Sequence, residues 1–211
     1  MKALFITFEG IEGSGKTTQA KKAEDYLKKL GYPVLRTYEP GATRVGEYIR
    51  RILLEKNDDP NSLHPIVELL LFSADRTQHL QEVVLPALEQ GTTVICDRYI
   101  DSTTAYQGGG RGIDFELVNQ IHKIATLCIY PTRTYLLDLP VEVGLQRISR
   151  RGNILDRLET ENIEFHQRIR DCFLRIANQY PQRVMIVDAM KSEEEIALII
   201  QNDIRDLCQK H

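Results

Sequence analysis

Phe5-Ile6-Thr7-Phe8-Glu9-Gly10-Ile11-Glu12-Gly13-Ser14-Gly15-Lys16-Thr17-Thr18 decides the fold of this 211-residue chain. Residues 3–8 are rich in β-branched and aromatic side chains and read as a buried strand of a parallel sheet. Gly10 is followed by Gly15, Lys16 and Thr17 at the spacing of a phosphate-binding P-loop. From 17 to 30, apolar residues return at Ala20, Ala23, Tyr26, Leu27 and Leu30, which is helical spacing. Strand, glycine loop and helix thus follow in the order a P-loop requires. Glycines at 10, 13 and 15 let the loop aim its N–H groups, with those of Ile11, Glu12, Ser14 and Thr18, at phosphate oxygens beside a helix N-terminus. Lys16 would reach the β- and γ-phosphates, and the Thr17 hydroxyl would ligate Mg²⁺. The chain is expected to bind a nucleoside triphosphate.

Working outward, β-like runs recur at Pro33–Thr37, Thr92–Cys96, Thr134–Leu139 and Arg183–Val187. Helical stretches lie between them at 45–55, 64–90, 114–126, 141–151, 160–179 and 192–209. Strands alternating with helices predict a parallel sheet covered on both faces. Ser192-Glu193-Glu194-Glu195 places an N-cap and acidic residues at the start of the last helix. With no linker, repeat or low-complexity tract, residues 1–211 read as one α/β domain.

Composition narrows the function. Lys and Arg number 27 against 30 Asp and Glu, a net charge of −3, which argues against broad nucleic-acid or anionic-membrane binding. Cys96, Cys128, Cys172 and Cys208 are scattered, as reduced cytosolic thiols are. The histidines lack metal-ligand spacing, so His64, His79, His122 and His166 are expected at the surface or core edge. No run reads as a signal peptide or a membrane span, which leads to the expectation of a soluble cytoplasmic protein.

A second site is legible beyond the P-loop. The strand at 92–96 ends in Asp97, a carboxylate where the Mg²⁺-associated motif of P-loop enzymes stands. Arg98 follows it where many hydrolases place a water-activating Glu, and a guanidinium there favours holding a second phosphate. Residues 98–111 bring hydroxyls, an amide and aromatic rings in a short glycine-ended segment that suits a nucleoside. Phe72 and Arg76 are four apart on one helix face, placed to stack on a base and bond its edge. Glu39-Pro40-Gly41 makes a turn after the second strand, with Arg50 on the next helix, in reach of a metal, sugar or acceptor phosphate. Arg147, Arg150 and Arg151 share a helical face before Gly152, and Arg157 follows, a pattern like a closing lid at about 147–159. A guanine-binding switch would need an Asn-Lys-x-Asp motif after a later strand, and the sequence has none.

The chain resembles the bacterial thymidylate kinase family along essentially its whole length. The resemblance rests on Phe8-Glu9-Gly10 with the P-loop, Glu39-Pro40-Gly41, Leu71-Phe72-Ser73-Ala74-Asp75-Arg76, Asp97-Arg98-Tyr99, Ala105-Tyr106-Gln107-Gly108 and Asp156-Arg157-Leu158-Glu159. It implies a P-loop kinase fold with a five-stranded parallel sheet, a homodimer, and transfer from ATP to dTMP with Mg²⁺ held by Thr17 and Asp97. By the same resemblance Phe72 would stack on thymine and Arg76 contact its carbonyl edge. Arg98, with Arg50, would hold the dTMP phosphate. Ser102, Thr103, Tyr106 and Gln107 would line the nucleoside pocket, with Glu39 near it and Glu12 by the sugar. Catalytic cations would be Lys16, Arg98 and the lid arginines 147, 150, 151 and 157. This chain departs from its relatives in carrying Tyr38, with Arg36 two residues earlier, where an Arg usually precedes Glu-Pro-Gly, and Ala42 for a usual Gly. Its lid is also one residue longer between Gly152 and Asp156.

Overall fold

Five short strands form one parallel sheet in the order β2-β3-β1-β4-β5, namely β1 (Phe5–Glu9), β2 (Val34–Tyr38), β3 (Thr93–Asp97), β4 (Arg133–Asp138) and β5 (Val184–Asp188). The computed structural model describes residues 3–55, 63–150, 152 and 155–210. The central strands β1 and β3 are almost wholly buried, whereas the edge strands β2 and β5 are only partly covered. That contrast is why the central runs read as unbroken apolar stretches.

Side chains alternate across the sheet and meet different partners on each face. Ile6, Phe8 and Ile95 pack with Ala20, Ala23 and Leu27 of α1 (Lys16–Lys29) and with Ile200 and Ile204 of α9 (Glu193–Lys210). Phe5, Val94 and Cys96 pack on the other face against Leu80 and Val84. Each such side chain, fully buried, contributes roughly 1.5–3 kcal/mol. The family fold expected from the sequence, parallel strands with helices on both faces, is therefore present.

The remaining helices are α2 (Arg44–Leu54), α3 (Pro65–His79), α4 (Leu85–Glu89), α5 (Ile100–Thr103), α6 (Phe115–Thr126), α7 (Val141–Ser149) and α8 (Ile163–Gln179). Thr43, Asp114 and Asn162 cap α2, α6 and α8 by accepting N–H bonds of the first turn. Ser192 and Glu195 satisfy one another's backbone N–H in a capping box before α9.

Two helical stretches differ from the sequence reading. The helix expected at 64–90 contains a π-helical turn at Leu80–Val84, where α3 gives way to α4. Pro86 explains it, since a proline inside a helix has no N–H to offer and crowds the carbonyl four residues back. The glycine-ended segment at 98–111, outside the helical stretches expected from sequence, contains α5 continued by a π-helical run, Thr104–Gly110. Three successive glycines are poor helix formers, but each touches a neighbour that a side chain would displace. A Cβ on Gly108, Gly109 or Gly110 would stand 2.7, 2.7 and 2.6 Å from Phe115, Cys172 and Phe165 respectively. Close packing of α6 and α8 around this run outweighs its low helix propensity.

Candidate active site

All five strands point their C-terminal ends to the same edge, where ligands bind in open α/β sheets. β1 delivers the P-loop there. Gly15, at φ 91°, turns the chain into α1, and Gly13 lies so close to α7 that a Cβ would stand 2.3 Å from the Gly144 carbonyl. Lys16 folds back over the loop, donating to the carbonyls of Gly10 (3.0 Å) and Ile11 (2.8 Å). Burial, reinforced by the Arg98 charge, lowers its ammonium to about 8. The Thr17 hydroxyl donates to Asp97 Oδ2 at 2.5 Å, so the two oxygen groups expected at a metal stand together.

Arg98 follows directly with φ 72°, a left-handed conformation that costs a side-chain-bearing residue ~1–2 kcal/mol. Its N–H bonds the Phe8 carbonyl. Glu9 then holds the next turn: one carboxylate oxygen accepts from the N–H groups of Tyr99 (2.7 Å) and Ser102 (3.2 Å), the other from the Ser102 hydroxyl (2.5 Å). Burial and the neighbouring Asp101 charge push the Glu9 carboxyl up to about 7, against the pull of Ser102 and Arg98. Sequence reading gave Glu9 no role, although an acid closing an apolar strand was a visible signal.

The Arg98 guanidinium reaches both halves of the site. Nη1 donates to the Gly10 carbonyl (3.2 Å) and the Ser102 hydroxyl (3.0 Å), while Nη2 donates to Glu12 Oε1 (3.0 Å) and the Tyr106 hydroxyl (3.2 Å). Tyr106 also donates to Glu12, and its ring lies 5.1 Å beneath the guanidinium. Burial alone would raise the Glu12 carboxyl. Nearby His166 and the positive charges of Arg98 and Lys16 outweigh it and hold the group well below the usual carboxylate range.

Beside Arg98 opens a pocket that brings together Glu12, Glu39, Arg50, Phe72, Arg76, Arg98, Ser102, Thr103, Tyr106 and Gln107. Pro40, Leu54, Asp156 and Leu158 complete it; Pro40, Asp156 and Leu158 stand in the quoted motifs but were given no pocket role, and no motif marks Leu54. Arg76 is only 2 % exposed and fully braced, donating to Glu39 Oε2 (2.9 Å), the Thr103 hydroxyl (2.9 Å) and the Tyr99 carbonyl (3.0 Å). Glu39 is held from behind by His79, which contacts Thr37 through its other nitrogen. Arg50 donates to the Pro40 carbonyl at 2.7 Å. Burial and the Glu39 charge raise Asp75, one residue before Arg76, to about 6 while it accepts from Gly41 N–H.

The lid cations separate. Arg147 donates to the carbonyls of Gly13 (3.4 Å) and Ala189 (3.1 Å), behind the P-loop. Arg157 donates to Glu68 Oε2 (2.6 Å) and to the Leu53 carbonyl (3.0 Å). Arg150 ends α7 and is exposed; Arg151 lies outside the described residues. Arg36 does not stand in for the residue at 38: it pairs with Glu24 at 2.7 Å, while Tyr38 donates to the Gly41 carbonyl. Ala42 needs no positive φ, because Gly41, at φ 110°, makes the turn. His79, His122 and His166 are buried rather than edge residues, at 0, 4 and 1 % exposure, His79 and His166 beside the acids Glu39 and Glu12. All four cysteines are unpaired, as expected.

Comparison with known proteins agrees with this geometry. The thymidylate kinase family model matches residues 8–200. The chain is 47 % identical over 201 residues to a thymidylate kinase of Sulfurihydrogenibium sp. strain YO3AOP1, covering 95 % of this chain and 96 % of that one. Against a thymidylate kinase of Nostoc punctiforme it is 44 % identical over 205 residues, covering 97 % of each. The crystal structure of thymidylate kinase from Ehrlichia chaffeensis superposes with a TM-score of 0.77 at 34 % identity, covering 97 % of this chain and 99 % of that one.

Proposed function

The chain belongs to the thymidylate kinase family, and on that premise we propose how its residues divide the work of the reaction. The enzyme transfers the γ-phosphoryl group of ATP to dTMP, giving ADP and dTDP. The observation that carries the residue assignment is Arg98, whose guanidinium bonds the P-loop carbonyl of Gly10 on one side and the pocket residues Ser102, Glu12 and Tyr106 on the other.

ATP phosphates occupy the P-loop from Gly10 to Thr18, and Lys16 exchanges its carbonyl partners for phosphate oxygens. Phe72 stacks on thymine and the braced Arg76 presents its edge to the base. Gln107 spends its NH₂ on Glu68, at 2.8 Å, so its carbonyl oxygen is left to accept the N3–H of thymine. Arg98 with Arg50 holds the dTMP phosphate, and Glu12, freed from Arg98, takes the sugar with Tyr106. The acceptor oxygen is ionised at neutral pH, so catalysis rests on positioning and charge rather than on a general base. Arg147 and Arg157 are engaged by protein groups, whereas Arg150 is exposed at the end of α7, so among the described lid cations Arg150 is assigned to the transferring phosphoryl group.

Thr17 and Asp97 would hold Mg²⁺, and a hydroxyl beside a carboxylate is the hard oxygen pair that this ion prefers. When bound, Mg²⁺ neutralises charge on the β- and γ-phosphates. We further propose a single domain in the cytosol, in keeping with four free thiols. The enzyme would be a homodimer joined through neighbouring stripes on α2 (Val45, Tyr48, Ile52), α3 (Val67, Leu70) and α6 (Leu117, Ile124), all exposed apolar side chains. No described helix is long and apolar enough to cross a membrane.

A panel of nucleoside monophosphates with ATP and Mg²⁺, followed by ADP release, tests the reading. Turnover with dTMP well above dCMP and purine monophosphates supports it. Equal turnover with dCMP would remove Gln107 and Arg76 from base selection.

A further inference from the structure

Glu68 sits in the first turn of α3, one turn before Phe72 and two before Arg76, so the three side chains share a helix face. It is 0 % exposed. Oε1 accepts from Gln107 Nε2 (2.8 Å) and Arg111 Nε (3.2 Å), and Oε2 accepts from Arg111 Nη2 (3.2 Å) and Arg157 Nη2 (2.6 Å). Four donors thus fill the four acceptor positions that a carboxylate offers. They come from three separate places: the π-helical run, the turn after it, and the lid.

Two consequences follow from carboxylate chemistry. An ionised carboxylate only accepts, so it fixes which end of the Gln107 amide faces it and turns the amide oxygen toward the nucleoside pocket. The other oxygen anchors Arg157, whose neighbours Asp156 and Leu158 line that same pocket. The anchor is braced locally. Asp156 Oδ1 accepts from the N–H groups of Leu158 and Glu159 (2.9 Å each), and Glu159 accepts from Asp156 N–H (3.0 Å). Arg111 is fixed as well, by Glu161 (2.5 Å) and by the Phe165 ring, 4.6 Å from its guanidinium carbon.

We infer that Glu68 is a positioning residue of the transfer reaction, one buried carboxylate that sets the Gln107 amide for base selection and fastens the lid over the nucleoside. The inference rests on the dTMP reading above and adds to it a physical link between base recognition and lid position. Neither role needs Glu68 to touch a substrate.

The test compares Glu68→Gln with Arg157→Ala, using dTMP and dCMP as alternative acceptors. In Glu68→Gln the facing group is itself an amide, so Gln107 is free to flip and present NH₂ to the pocket. Cytosine, whose N3 accepts, then becomes a better acceptor base. The expected result is about a tenfold or greater loss of the dTMP-over-dCMP preference in kcat/KM, with a raised dTMP KM. Arg157→Ala frees the lid but leaves Gln107 on Glu68, so the dTMP KM rises severalfold while the preference stays. Arg157→Lys, which keeps the charge, recovers part of the KM. An unchanged preference in folded Glu68→Gln overturns the base-selection half. Should that variant not fold, Gln107→Glu decides the same point, since two facing carboxylates cannot keep the arrangement; an unchanged preference there is equally fatal. An unchanged dTMP KM in Arg157→Ala overturns the lid half. Absence of dTMP-dependent turnover in the unmodified enzyme would instead defeat the function reading itself.

Discussion

Replacing Arg98 by Ala removes four side-chain hydrogen bonds at once, to Gly10, Ser102, Glu12 and Tyr106. In the proposed assignment two of those positions pass to the acceptor phosphate, where each charge-assisted bond is worth about 1.5–3 kcal/mol. The loss of about 3–6 kcal/mol corresponds to roughly 10²–10⁴-fold in kcat/KM for dTMP. The ATP KM should shift far less, because Lys16 and the loop N–H groups remain. Backbone strain supplies an internal control. At φ 72° glycine is relaxed and alanine is not, so Arg98→Gly should be the more stable variant by ~1 kcal/mol, or about 2–4 °C in Tm, with the same kinetic defect. Steady-state kinetics with each substrate varied in turn, alongside thermal melts, measures both effects. A dTMP kcat/KM within threefold of the parent would refute the acceptor role, and equal melting of the two variants would refute the strain.

Four further outcomes are expected. With the Lys16 ammonium at about 8 in the free enzyme, ATP binding at pH 8 should take up about half a proton as the phosphates restore the charge, and almost none at pH 6.5; calorimetry in buffers of differing ionisation enthalpy reads this directly. The same depression makes the ligand-free fold gain stability as pH rises from about 8 towards 10.5, where the unfolded chain holds the extra proton, and lose it as pH falls through 8. Gly144→Ala would bring a Cβ 2.6 Å from the Glu12 carbonyl, so the P-loop must shift; a stability loss of about 1–3 kcal/mol with weaker ATP binding is expected, and an unchanged melt and ATP KM would contradict the contact. Tyr48→Glu, on a side chain 57 % exposed in the single chain, should shift the enzyme to monomer in sedimentation velocity; a monomeric parent enzyme would end the homodimer proposal.

The parts legible in the sequence were those with local signals. Short runs rich in β-branched and aromatic residues, with helical periodicity between them, located every strand and most helices, and the P-loop spacing placed Lys16 and Thr17. The pocket residues from Glu12 to Gln107 were named through motifs and do line one cavity. What escaped depended on contacts across the chain. Gly108-Gly109-Gly110 is locally a turn, and only the closeness of Phe115, Cys172 and Phe165 makes it helical. Glu68 looks like an exposed first-turn acid until three distant segments close around it. Arg157 looks like another lid cation until that carboxylate claims it. Arg36 stands only two residues before Tyr38 in sequence, yet it pairs with Glu24 of α1.

The central claim is that two nucleotide sites meet at Arg98 and exchange a phosphoryl group directly. Ion-exchange chromatography of the products of enzyme, ATP, Mg²⁺ and dTMP, paired with a colorimetric phosphate assay, tests it most directly, because dTDP, ADP and inorganic phosphate are then measured separately. Direct transfer yields dTDP and ADP in equal amounts, with ATP nearly untouched when dTMP is left out. Inorganic phosphate appearing with ADP at the same rate whether or not dTMP is present would contradict it.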